Sequence, residues 1–159
     1  MTLSSRKTRW MYLACGLISA AGAAVFLWLI LIVQDIIRID AELSAHARAI
    51  YLYILGAAVP CLGAVGILAG VIHEIGQERA FTWKNACLMR GIAGMAFLEC
   101  AYILAGVVGW CMVGLMHPGV LLMALMLILL GAGIGILAWS LAGLVKKASD
   151  IQQENDLTV

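Results

Sequence analysis

The sequence predicts an all-α fold, a four-helix transmembrane bundle with the N-terminus and C-terminus both cytoplasmic. Three observations predict it. The 159-residue chain is 64% hydrophobic and only 12% charged, with a mean hydropathy of +1.04; a soluble domain has about 45–50% apolar and about 25% charged residues. Four apolar runs, at 11–33, 50–72, 91–116 and 120–145, each reach the roughly 20 residues that a helix needs to cross a bilayer. Basic residues near the span ends are lopsided. Arg6, Lys7, Arg9, Arg79, Lys84, Arg90, Lys146 and Lys147 fall on one side, and Arg38 and Arg48 on the other. Cytoplasmic loops carry the excess of Lys and Arg, which sets the orientation. Trp10, Trp83 and Trp139 lie near the same ends, where the indole ring suits the headgroup region. Little chain remains outside the spans, so residues 1–159 form one membrane domain with a cytoplasmic tail at 146–159.

Composition also narrows the function. A net charge of +1 provides no basic footprint, so direct binding of nucleic acid is not expected. The cysteines, Cys15, Cys61, Cys87, Cys100 and Cys111, are scattered, with no C-x-x-C pair and no metal-ligand spacing. No metal, no cofactor and no catalytic residue is expected, and no Ser/His/Asp arrangement points to an enzyme.

The first span follows a basic start, as a signal peptide does, but its apolar stretch exceeds the 7–15 residues of such a leader. It is expected to be retained. Gly16, Ala20 and Ala24 recur at four, as do Ser19 and Ala23. Small residues at this spacing let helix backbones approach closely in lipid. Packing inside the bundle is the preferred reading, and a homo-oligomer through these faces is the alternative. The outer linker at 34–49 places Ile36, Ile39, Leu43 and Ala47 at helical spacing, so it reads as a helix with one apolar stripe. Asp35, Arg38, Asp40 and Glu42 read as its wet face. His46 here and His117 in the next outer turn read as interfacial polar residues.

Pro60 stands at the centre of the second span, where it removes a backbone donor and predicts a kink. Gly66 and Gly70 follow at G-x-x-x-G spacing. Gly76 is expected to end this helix in the left-handed conformation. A loop of about six residues then leads to Thr82, the expected N-cap of the next helix. That helix is expected to start near Trp83 and to run to about Met116.

Glu99 is the ninth residue of its apolar run, roughly 12 Å along the helix at 1.5 Å per residue. A charge at mid-span costs about 2.5–3.5 kcal/mol on insertion scales, so such a group faces the protein and finds partners. Ser19 and Ser140 are the only serines in the four spans; Ser19 lies at nearly the same depth, Ser140 is somewhat shallower, and Tyr102 is one turn along. An intramembrane polar cluster of Glu99, Ser19, Ser140 and Tyr102 is therefore expected. It is either a register-fixing hydrogen-bond group or a proton-linked transport site.

His117-Pro118-Gly119 reads as a minimal outer turn. The fourth span contains Gly131, Gly133 and Gly135, and its helix is expected to reach about Gln153, with Glu154 to Val159 frayed.

A hairpin ending in Arg79-Ala80-Phe81-Thr82 and a C-terminal Glu154-Asn155-Asp156-Leu157-Thr158-Val159 resemble the YoaS-like family of bacterial four-span membrane proteins of unknown function. The resemblance implies a bacterial cytoplasmic membrane. It also implies a cytosolic partner, since genes of that family often lie beside a small helix-turn-helix regulator. Both recognisable motifs fall on the cytoplasmic side. The leading expectation is therefore a non-enzymatic regulatory or docking protein. Arg79, Phe81, Thr82, Asn85, Glu154, Asn155 and Asp156 would supply its partner surface. The alternative is a small proton-linked transporter using Glu99.

Overall fold

A computed structural model describes the backbone over residues 3–77 and 80–157, with side chains over 8–77 and 80–154. The described chain is all-α. It comprises α1 (Leu3–Ile39), α2 (Ala41–Ala45), α3 (Ala47–Gly76), α4 (Trp83–Val113) and α5 (Pro118–Leu157). All but α2 are long and apolar enough to cross a membrane, so by length and composition this is a multi-pass membrane protein.

Local chemistry sets the boundaries. Asp40 interrupts the outer linker because its Oδ1 accepts from the backbone N–H groups of Glu42 and Leu43 at 2.9 and 3.3 Å, starting α2 afresh. That break resets the helical phase. The expected apolar stripe is not one face: Ile36 and Ile39 are exposed, and it is Ile37, on another face of α1, that is buried. Asp35 and Arg38 form an exposed pair at 3.9 Å, a solvated surface as expected. Thr82 caps α4 by accepting the Asn85 N–H at 3.3 Å, and only six residues, 77–82, connect α3 to α4.

Helix α4 ends at Val113, short of Met116, because Gly114 turns left-handed at φ 78°. The N–H of Gly114 bonds to the Cys111 carbonyl and that of Leu115 to the Trp110 carbonyl, both at 3.1 Å. This is the paired closure that a glycine after a helix permits. Pro118 opens α5, where its missing N–H costs nothing. The Gly119 N–H donates to Nδ1 of His117 at 3.1 Å. Helix α5 runs past Gln153 to Leu157, since no Gly or Pro interrupts residues 144–157.

Gly76 differs from expectation. It stays within α3, and Gln77 closes the helix without a left-handed residue. Its lack of a side chain serves packing instead. A Cβ at Gly76 would lie 2.7 Å from Cγ2 of Thr8, so α1 and α3 meet there.

The seam between α3 and α4 has a seven-residue repeat. Gly56, Gly63 and Gly70 on α3 face Tyr102, Met95 and Leu88 on α4. One set of numbers rises by seven as the other falls by seven, so the helices are antiparallel in constant register. A repeat of seven keeps one stripe facing the partner along a left-handed crossing. Two reciprocal contacts complete it, Gly91 under Ile67 and Gly106 under the Tyr53 ring. Gly66 has open space, so the seven-residue spacing, and not Gly66-x-x-x-Gly70, forms the α3 face. Between α4 and α5, Gly131 receives the Cys100 sulfur and Gly135 the Phe97 ring. The Cys100 thiol also donates to the Ile128 carbonyl at 3.4 Å.

Among the described residues, the main packing of the long helices runs between chain neighbours: α1 on α3, α3 on α4, α4 on α5. Among the described residues α1 and α5 share no substantial interface, so the arrangement of the four long helices is open there. The accessible surface of the chain is 10998 Å², against about 7,700 Å² for a compact soluble monomer of this mass. The surplus is apolar, with Leu17, Trp28, Leu62, Met112, Leu122 and Leu129 among many exposed large side chains. The small-residue face of α1 belongs to that surface. Gly16, Ala20 and Ala24 are exposed and Gly16 has no neighbour within 4 Å, so the expected packing of this face inside the bundle does not occur.

Candidate functional site

Two regions of the molecule gather polar groups. The first is the end that holds the 77–82 loop. The Thr8–Gly76 contact brings the start of α1 there, and the last turns of α5 reach it too, with Lys146 lying 5.4 Å from the Trp83 ring. Helix α5 is 40 residues long. Its residues 146–157 extend beyond the apolar run by about 18 Å at 1.5 Å per residue, so a helical stalk stands clear of the spans.

The loop between α3 and α4 is braced from below. Glu74, 5% exposed at the end of α3, accepts from Nζ of Lys84 at 2.6 Å. Asn85 is 1% exposed, and its side-chain nitrogen donates to the Ala80 carbonyl at 2.7 Å. Asn85 therefore shapes the loop from inside and cannot be a surface contact as expected. Glu74 escaped the sequence reading because it follows an apolar run by two residues, where a carboxylate is ordinarily wet. A basic residue ten positions later, across a six-residue loop, was the available signal.

Above this brace lies an open cleft of about 510 Å³. Phe81, Thr82 and Trp83 form one wall, and Ser149, Asp150, Gln152 and Gln153 of α5 form the other. Phe81 is 58% exposed, and Glu154 is exposed at the next turn of α5. Loop and tail thus share one concave surface with an aromatic side and a polar side. Arg79 lies outside the described residues, as do the side chains of Asn155 and Asp156. Thr82 sits in the wall while its Oγ1 caps α4.

The second region is the α3–α4 seam within the spans. The Tyr53 and Tyr102 rings stack at 5.0 Å and 10°, and Trp110 meets Tyr53 edge-on at 6.5 Å. The Tyr102 hydroxyl donates to the Tyr53 carbonyl at 2.9 Å. Glu99 is half-buried on α4, within electrostatic reach of Tyr53 and Cys61 on α3. Its Oε2 is buried with no hydrogen-bond partner. The expected cluster is not assembled around it. The Ser19 hydroxyl donates to the Cys15 carbonyl at 2.7 Å and the Ser140 hydroxyl to the Ile136 carbonyl at 2.8 Å, each within its own helix. Helix α1 packs on α3 and has no substantial interface with α4 among the described residues, which keeps Ser19 from the carboxylate.

Among the described residues, no group of three His, Cys, Asp or Glu side chains is placed to hold a metal ion. His46 and His117 each engage local backbone, at the Glu42 carbonyl and the Gly119 N–H.

A family model described as a protein of unknown function (DUF2975) matches residues 3–159, nearly the whole chain. No curated protein and no solved structure matches. The YoaS-like naming and a bacterial source rest on the loop and tail residues alone.

Proposed function

We propose, for a chain that belongs to the DUF2975 family of proteins of unknown function, a non-enzymatic role as a multi-pass membrane docking or regulatory protein. Its docking surface is the cleft between the loop and the α5 stalk. The observation that carries this reading is the joint wall of that cleft, Phe81, Thr82 and Trp83 facing Ser149, Asp150, Gln152 and Gln153. An exposed aromatic anchor beside a polar rim is the composition of a protein-recognition surface. The excess of basic residues at this end supports a cytoplasmic cleft by the positive-inside rule. A small cytosolic helix-turn-helix regulator, as implied by the resemblance of loop and tail, is the partner proposed. The source membrane is then a bacterial cytoplasmic membrane. The test is capture from native membranes by the full-length tagged chain. Phe81→Ala and deletion of residues 154–159 each abolish capture of a cytosolic protein while membrane insertion is retained. Undiminished capture by both variants contradicts the docking reading.

A second reading rests on Glu99, whose Oε2 is buried without a partner between two packed helices. A mid-span carboxyl of this kind marks proton and substrate pathways in membrane carriers. In this reading the chain is a small proton-linked transporter. Glu99→Gln then eliminates pH-driven uptake in reconstituted vesicles, and uptake that persists in the variant rejects it.

A further inference from the structure

At the same end of the molecule, Arg90 and Lys146 converge on two indole rings. The Arg90 guanidinium carbon lies 6.0 Å from the centre of the Trp83 ring and 5.8 Å from that of Trp139. Nζ of Lys146 lies 5.4 Å from the Trp83 ring. These are cation–π distances, and they tie α4 to α5. Trp83 and Trp139 are more than half exposed. Arg90 and Lys146 stand at the boundaries of the apolar runs 91–116 and 120–145, so both cations lie at headgroup depth.

Among the described residues, neither cation is neutralised, since no carboxylate forms an ion pair with Arg90 or Lys146. The nearby Lys84 is different, because it is engaged by Glu74. Asp150 lines the cleft beside Trp83, four residues along α5 from Lys146, without closing on it. Two positive charges from two helices therefore remain available to an anion, held by aromatic walls that suit the ester level of a bilayer.

We propose that Arg90, Lys146, Trp83 and Trp139 form a binding site for the phosphate-bearing headgroup of an anionic phospholipid. Arg90 and Lys146 take the phosphate, and the two indoles pack against the glycerol and first acyl carbons. The lipid bridges α4 and α5 at their shared end. A lipid is favoured over a soluble anion because the cations lie at the boundaries of the apolar runs, beside exposed tryptophans. This site shares Trp83 with the docking cleft, but its cations, Arg90 and Lys146, are not in the cleft lining.

The test is thermal unfolding of the full-length chain in a neutral detergent. The additives are dioleoyl phosphatidylglycerol, dioleoyl phosphatidylcholine, inorganic phosphate and polyglutamate, each titrated separately. Phosphatidylglycerol is expected to raise the midpoint saturably, while the other three do not. Arg90→Gln and Lys146→Gln are each expected to weaken the half-saturating concentration about fivefold, the effect of one basic residue at an anionic surface. Lys147→Gln, next along the helix, is the control and leaves it within twofold. Lys146→Gln lies on α5 outside the apolar run and decides alone if Arg90→Gln does not fold. Equal protection by phosphatidylcholine, or titrations unaltered in the Lys146 variant, would overturn the site. Protection by inorganic phosphate matching that of phosphatidylglycerol overturns the lipid in favour of a free anion, and matching protection by polyglutamate overturns it in favour of an acidic peptide.

Discussion

Tyr102 donates its hydroxyl to the backbone carbonyl of Tyr53 at 2.9 Å while the two rings lie stacked at 5.0 Å. Each ring also rests on a glycine of the other helix, Tyr102 over Gly56 and Tyr53 over Gly106. The clasp exists because two backbone positions carry no side chain. In lipid, where apolar burial drives helix association weakly, such close packing and interhelical hydrogen bonds hold the bundle.

Tyr102→Phe keeps the stacked ring and removes the donor. The expected cost is about 0.6 kcal/mol, the average for an interhelical hydrogen bond in a membrane protein. Gly106→Ala forces a methyl into the Tyr53 ring and costs about 1–3 kcal/mol. Equilibrium unfolding in mixed micelles measures both. A Gly106→Ala variant as stable as the parent would remove the clasp from the account.

The seven-residue glycine spacing has its own discriminating pair. A Cβ at Gly63 would lie 3.2 Å from Sδ of Met95, whereas one at Gly66 would meet open space. Gly63→Leu is expected to destabilise by about 1–3 kcal/mol. Gly66→Leu is expected to be neutral or slightly stabilising, because leucine is the better helix former. The reverse order would restore Gly66-x-x-x-Gly70 as the packing face.

At the loop, Thr82→Ala removes the N-cap of α4 and is expected to cost about 1 kcal/mol, with Thr82→Ser close to the parent. Lys84→Met removes the cation that faces the buried Glu74 carboxylate. Lys84 is itself 70% exposed, so the expected loss is about 1 kcal/mol, nearer the solvent-screened end of the range for ion pairs. Thermal unfolding in detergent reads both losses. Hydrogen exchange at residues 80–86 is expected to rise in both variants.

The long helices, the six-residue loop and the Thr82 cap were legible in the sequence because each depends on neighbours within a few residues. Apolar length decides a span, and one hydroxyl decides a cap. What was not legible depends on helix rotation. Gly16, Ala20 and Ala24 have the spacing of a packing face, yet α1 turns them outward. Ser19 matches Glu99 in depth, but depth does not say which helices are neighbours, and α1 packs mainly on α3. Gly56, Gly63 and Gly70 were visible as residues, but their common role required the facing Tyr102, Met95 and Leu88 of α4. Asn85 looked exposed because it follows a polar loop. Its amide turns inward to the Ala80 carbonyl, a local bond that composition does not reveal.

Four helices long and apolar enough to cross a membrane bring the loop, the start of α1 and the α5 stalk to one end of the molecule, which is proposed to be the cytoplasmic one. The most direct measurement is labelling of single cysteines, placed at Ser44 and at Ser149 in a chain whose native cysteines are replaced, with a membrane-impermeant maleimide in intact cells. The account predicts that Ser44→Cys is labelled at once and Ser149→Cys only after the membrane is opened. Labelling of Ser149→Cys in intact cells, or of both positions from the same side, would contradict it.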